Sequence, residues 1–210
     1  ERVKSYIPTS HVAHIACFNT TAFERTLAVR LGIPIYGCDP SLIYMGTKSG
    51  SRRACIEAGA LMPPGTEDVK SCDELVDALT TLKNNNPKLK KAVVKLNDGF
   101  SGDGNAILKY PDDIALEDLH NWIHENLSKE LVPVANNIHF ESYIEKFKQM
   151  EGIVEAFIEG EIKTSPSVQC RINPLGEVDI ISTHDQVLNG QIFVGAYFPA
   201  DKSYSAAIAA

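Results

Sequence analysis

The residues whose types and spacing are best suited to chemistry lie between Lys91 and Leu108, in the stretch KAVVKLNDGFSGDGNAIL. An apolar run interrupted by Lys95 leads into a loop carrying Gly99, Gly102 and Gly104, and a second apolar run begins at Ala106. Glycines lack Cβ, so their amides can approach a bulky anion closely and take φ values closed to other residues. On an alternating strand Lys95 shares a face with Val93, a buried position, and a cation there needs a partner. A phosphate held by the loop amides, with Lys95 beside it, meets both requirements. A β-hairpin with a glycine-rich turn and a lysine reaching out from an edge strand accounts for the same residues without a ligand. The loop is not a Walker A motif, because GxxxxGK[ST] is absent. The choice therefore turns on the rest of the chain.

Two further groups bear on it. In GTKSGSRRACIEAGA, Lys48, Arg52 and Arg53 fall at the start of a helix expected to run to about Ala58. Positive side chains in a first turn oppose the helix dipole, so the arrangement suits a bound anion or else a solvated basic turn. In GIVEAFIEG, Glu155 lies inside an apolar run, where an unpartnered carboxylate is costly. Gln169 and Arg171 share one face of the next strand, and Asp185 follows His184 near the end of a third. These strand-borne groups either converge with Lys95 on a polar ligand or form the outward row of a half-exposed sheet.

The elements that must position these groups read as follows. Residues 11 to 18 form a strand, Thr21 to Leu31 a helix closed by Gly32, and residues 33 to 37 a short strand, a βαβ rhythm with a parallel pair. Ser71 or Asp73 caps a helix to about Lys83, with Leu75, Val76, Leu79 and Leu82 on its apolar side. After the central hairpin a helical region reaches about Leu127, with Trp122 and Ile123 packing inward, and a polar connection covers 128 to 137. A further helix spans 140 to 148. From Gly152 onward four strands separated by turns read as an antiparallel meander.

Composition narrows the function classes. A 210-residue chain with net charge -7 and no basic run does not suit nucleic acid or an anionic membrane surface as its main partner. Five cysteines without CxxC spacing point to buried free thiols in a reducing, cytoplasmic setting. No apolar run has membrane-spanning length.

Taken together, GTKSGSRR, VVKLNDGFSGDGNA, GIVEAFIEG, SPSVQCRINPLGEV and STHDQVLNG resemble the ATP-grasp superfamily, in particular the branch of pheganomycin-type peptide ligases and carboxylate-amine ligase-like proteins. The resemblance covers about Ile33 to Ala200. It implies an α/β to α+β chain with the ATP-grasp fold, in which two α+β subdomains grip a nucleotide. Residues 1–40 would be a remnant of a βαβ pre-ATP-grasp domain, 41–90 a segment of the first subdomain, and 91–210 the nucleotide-gripping subdomain with its meander. Lys48 and Lys95 match the nucleotide-binding lysines. Ser101, Gly102, Asp103 and Gly104 match the flap over the phosphates. Glu155, Ala156, Phe157 and Ile158 match the segment that holds adenine through backbone groups, with Glu159 or Glu161 near the ribose. Arg171 and Asp185 match positions for phosphate, metal or substrate contacts and are the candidate catalytic residues. The implied cofactors are ATP and Mg²⁺, and the implied substrates a small-molecule carboxylate and an amine joined through an acylphosphate. No acidic residue followed by a Glu-x-Asn pair is found before Ala210, so the metal ligands stay unassigned. With the abrupt chain ends this suggests a piece of a longer protein that is inactive alone. The rival readings are a nucleotide-binding or structural module without ligation, and a ligand-free interaction domain.

Overall fold

The computed structural model describes residues 2–99, 102, 104–173 and 175–210, so Ser101 and Asp103 of the expected flap lie outside the described residues. The chain divides into two units, 1–60 and 61–210, a boundary that differs from the divisions expected at 40 and 90.

In the first unit β1 (Ile15–Ala16) and β2 (Ile35–Tyr36) pair in parallel around α1 (Ala22–Leu31), as the βαβ rhythm requires. Thr21 and Glu24 close a capping box on α1, and Gly32 ends it at φ 71°. The second helix, α2 (Lys48–Glu57), starts where Thr47 accepts a hydrogen bond from the Gly50 amide at 3.0 Å. A Cβ on Gly50 would lie 1.9 Å from the Tyr44 carbonyl oxygen, so this helix packs on the preceding 3-10 turn, Pro40–Gly46, at a distance only glycine permits.

The second unit holds two sheets. In chain order its elements are β3 (Gly65–Val69), α3 (Cys72–Asn85), β4 (Lys91–Leu96), β5 (Asn105–Lys109), α4 (Leu119–Glu130), β6 (Leu131–Pro133), α5 (Phe140–Met150), β7 (Gly152–Ala156), β8 (Pro166–Ile172), β9 (Val178–Asn189), β10 (Ile192–Tyr197) and α6 (Ser205–Ala209). The five-stranded sheet runs β3-β7-β4-β5-β6, antiparallel throughout, and the three-stranded sheet runs β10-β9-β8. The meander expected from Gly152 is thus correct for β8, β9 and β10 but not for β7, which inserts between β3 and β4 of the other sheet. The expected polar connection also contains a strand, β6, which pairs with β5.

Alternation explains the layering. On β4 the side chains of Ala92, Val94 and Leu96 face one way and join Ala106, Leu108, Val154 and Ala156 beneath the helices. Leu75 and Leu79 from α3, Leu119 and Ile123 from α4, and Tyr143 and Phe147 from α5 are all fully buried on this layer. Because α3 shares that core with β4 and β7, it belongs with the glycine hairpin rather than with the segment before it. The other face of the sheet carries Val93, Lys95, Asn105, Ile107, Ile153 and Glu155.

The helix layer also fixes the base of the glycine loop. The Gly104 carbonyl accepts from the Leu96 amide at 2.9 Å and from the Tyr143 hydroxyl at 3.2 Å, and the same hydroxyl lies 3.0 Å from the Val94 carbonyl. Tyr143→Phe removes that donor inside a dry core, so it is expected to cost about 1–3 kcal/mol, read as a lower urea midpoint with an unchanged slope.

The five cysteines are free, as expected, but they are not buried: Cys38 and Cys170 are exposed and the other three half-buried. Among the described residues no helix is long and apolar enough to cross a membrane.

Candidate functional site

The outer face of the five-stranded sheet is polar at its centre because of register. Val93 pairs with Glu155 on one side and Ile107 on the other, while Lys95 pairs with Ile153 and Asn105. Lys95 and Glu155 are therefore diagonal neighbours on adjacent strands, within reach of a long side chain. Lys95 Nζ lies 2.5 Å from Glu155 Oε2, with the lysine side chain 29% exposed and the carboxylate 8%. The partner that each group needs is thus the other, 60 residues away. A phosphate is not required to stabilise Lys95 in the strand.

This face forms the floor of a cavity of about 730 Å³, a volume suited to a small-molecule ligand. Apolar walls come from Val93, Ile107, Val134 and Leu188, and polar groups from Lys95, Glu155, Asn105 and Gln191. Asn105 Nδ2 donates to Gln191 Oε1 at 2.7 Å, which ties the hairpin to the turn between β9 and β10. Gly102 approaches the same turn so closely that a Cβ would lie 2.6 Å from the Gln191 carbonyl oxygen. Gly99 and Gly104 meet each other in the same way, at 2.7 Å and 2.6 Å. The requirement visible at these three glycines is steric: backbone packs where a side chain would stand.

Past β7 the chain leaves the sheet along the cavity rim. The Ala156 amide donates to the Pro64 carbonyl at 2.8 Å and the Phe157 amide to the Lys91 carbonyl at 3.1 Å. Those two donors of the expected adenine segment are therefore spent within the fold. Among the described residues the Phe157 carbonyl and the Ile158 amide have no backbone partner; they belong to one trans peptide and point to opposite sides. The Phe157 ring lies under two ammonium groups, Lys91 at 5.5 Å and Lys163 at 5.3 Å from its centroid. Lys91 also bonds Glu159 at 2.5 Å, and this hydrogen bond holds the Glu159 carboxyl below its ordinary range.

The other expected residues lie elsewhere. Arg171 forms an ion pair with Asp179 at 2.6 Å on the half-exposed three-stranded sheet. Arg171 lies six residues along from Ser165, which lines the cavity, about 20 Å at the rise of a strand. Asp185 accepts from the Tyr204 hydroxyl at 2.5 Å and from the Asp201 amide at 2.9 Å, so it anchors the C-terminal segment. The hydrogen bond to Asp185 pushes the Tyr204 phenol up to about 12. Lys48 belongs to the first unit, at the first position of α2, where Ser49 and Arg52 are buried. Lys95, Glu155, Ala156, Phe157 and Ile158 all line the cavity. Asn105, Gln191 and Lys163 were not anticipated. Period-two spacing from Ile107 signals Asn105, whereas nothing local signals Gln191 or Lys163.

Comparison with known proteins yields a consistent set of similarities. A family model described as IQCH-like, ATP-grasp matches residues 41–132. The chain is 32% identical over 196 residues to the L-propargylglycine–L-glutamate ligase of Streptantibioticus cattleyicolor, covering 90% of this chain and 38% of that protein. It is 24% identical over 217 residues to IQ motif-containing protein H of Danio rerio, covering 89% of this chain and 20% of that protein. The chain thus spans well under half the length of these curated relatives. Among solved structures, N5-carboxyaminoimidazole synthetase from Staphylococcus aureus complexed with ADP matches with a TM-score of 0.53 at 15% identity, over 90% of this chain and 41% of that one. D-alanyl-alanine synthetase A from Vibrio cholerae matches with a TM-score of 0.53 at 12% identity, over 88% and 50%.

Proposed function

Because this chain belongs to the ATP-grasp superfamily in fold and in sequence, we propose that its cavity binds ATP and that the protein carrying it joins a carboxylate to an amine through an acylphosphate. The observation that carries the reading is the cavity floor, where Lys95 and Glu155 meet between the apolar walls of Val93, Ile107, Val134 and Leu188. At the rim, the peptide joining Phe157 to Ile158 gives an adenine edge a single hydrogen bond, because its carbonyl and its N–H point opposite ways. An ammonium group has three donors, so Lys95 can keep Glu155 on one and offer the others to a phosphate oxygen.

The chemistry asked of the protein is positioning and charge neutralisation. As the γ-phosphoryl group passes to the carboxylate, fixed cations and loop amides offset its charge, and a water-excluding site protects the acylphosphate from hydrolysis. Magnesium is the expected counter-ion of ATP. Among the described residues no group of three or more His, Cys, Asp or Glu is arranged to hold a metal ion, and no residue is assigned to it. The carboxylate and amine are read from the relative at 32% identity, whose name specifies two amino acids, so amino acids are the first candidates.

ATP is expected to raise Tm by mass action, by about 2.7 kcal/mol of added stability at a concentration 100 times Kd. Release of ADP that depends on both an acid and an amine then tests the ligase reading. ATP binding without any acid-dependent ADP release would favour the alternative, a nucleotide-binding module that does not ligate.

A further inference from the structure

The two sheets of the second unit share no strand pairing, and the chain passes between them once. Every strand of the five-stranded sheet precedes β8, so the three-stranded sheet hangs on the connection 157–165, which carries neither helix nor strand. The Phe157 amide bonds to the Lys91 carbonyl at one end of it, and the Ser165 carbonyl accepts from the Gln186 amide at the other, at 2.9 Å. Between those ends, from Ile158 to Thr164, no backbone hydrogen bond holds the chain among the described residues. The connection forms one side of the cavity, through Glu159, Ile162 and Lys163 among others. A segment without such bonds changes its φ and ψ at little cost, so the sheets can turn about it.

Another side of the cavity is closed by contact alone. Asn189 and Ile192 pair across a two-residue turn in which Gly190 has φ 63°, and Leu188, Gly190 and Gln191 line the cavity. Asn105 belongs firmly to the hairpin of β4 and β5, because its amide donates to the Gly102 carbonyl at 3.0 Å and its carbonyl accepts from the Val134 amide at 2.9 Å. Its side chain reaches out of that frame to Gln191 at 2.7 Å. The Gly102 backbone seats against the Gln191 carbonyl, where a Cβ would be 2.6 Å away. One net hydrogen bond between amides is weak, so this contact breaks far more easily than either sheet unfolds.

We propose that Asn105 and Gln191 are the latch of this cavity, and that the three-stranded sheet turns on residues 158–164 to open it. That the ligand is a nucleotide rests on the function proposed for the cavity. With the amides bonded, this side of the site is closed, which protects an acylphosphate that water would destroy. With the bond broken, the turn at Gly190 and Gln191 leaves Gly102 and the cavity widens to admit a ligand. Both are positioning residues: the bond between them sets how often the cavity opens, and neither has to touch the ligand.

Two measurements on the full-length protein test this. The first needs no ligand. Val93 lies on the cavity floor and is 5% exposed, so in a Val93→Cys background the thiol meets iodoacetamide when the cavity opens. Mass spectrometry of the peptide carrying position 93 separates it from the native cysteines. Adding Gln191→Ala is expected to speed alkylation about three- to tenfold, the factor that one lost hydrogen bond gives, and Asn105→Ala to do the same. With both substitutions alkylation should go no faster than with either one, because both remove the same bond. Unchanged rates, or two factors that multiply, overturn the latch.

The second follows a fluorescent ATP analogue with Mg²⁺ by stopped flow. A latch acts on opening in both directions, so Gln191→Ala is expected to raise the association and dissociation rates by the same factor and leave Kd within about twofold. A rise in dissociation alone would mark Gln191 as a ligand contact and overturn the proposal. An analogue that fails to bind the wild type, while alkylation responds as expected, would count against the nucleotide reading and leave the latch standing.

Discussion

Replacing Lys95 with Ala is expected to lower the stability of the second unit by about 3 kcal/mol and to abolish the rise in Tm on adding ATP. The first effect follows from what is left behind: Glu155 stays in the sheet with its side chain 8% exposed and loses the ammonium at 2.5 Å. Breaking a buried pair from one side costs about 3–5 kcal/mol, and the lower end applies because Lys95 itself is partly exposed. The second effect follows from the loss of the cation that would meet a phosphate. The double variant Lys95→Met with Glu155→Leu separates the two. Its apolar pair should recover most of the stability, since well-packed hydrophobic replacements of ion pairs are often neutral, yet it should still not respond to ATP. Urea unfolding and a thermal scan with ATP supply both numbers. A Lys95→Ala protein that kept the full ATP shift would remove this face from the nucleotide site.

Gly104→Ala should be the most damaging single-methyl change in the hairpin. The added Cβ would lie 2.6 Å from Gly99 Cα, and backbone cannot move aside as a side-chain tip can. The strain also reaches the Gly104 carbonyl, which holds the Leu96 amide and the Tyr143 hydroxyl. Overpacking of this kind costs about 1–3 kcal/mol, and the loss of those bonds places the change at the top of that range. Gly176→Ala is a useful control, because Gly176 has φ 82° and nothing within 4 Å of its Cβ position. Its cost is conformational alone and should leave the ATP response intact. If both substitutions suppressed the ATP response equally, the crossing of Gly99 and Gly104 would have no special part in the site.

Much of the local structure was legible because its causes are local. The helix from Cys72 is announced by the Ser71 cap and the spacing of Leu75, Val76, Leu79 and Leu82. The close of α1 needs a left-handed residue, and Gly32 supplies it. The lysine-bearing strand and its glycine loop follow from alternation and composition, and the motif order pointed to the fold. By contrast, β3 reads Gly-Thr-Glu-Asp-Val, with little strand character, and is a strand only because β7 pairs with it across an irregular register.

What the sequence determined by itself was the helices α1 to α5 and the central hairpin, the likeness to ATP-grasp proteins, and the fact that Lys95 and Glu155 each needed a partner. Only the tertiary structure decided that they are each other's partner, because strand order places β7 beside β4 although 60 residues separate the two side chains. It likewise decided that Asp185 holds the C-terminal segment while its neighbour His184 meets Ser167 across the sheet. Alternation says that neighbours in a strand face opposite ways, and long-range packing alone says which way is which.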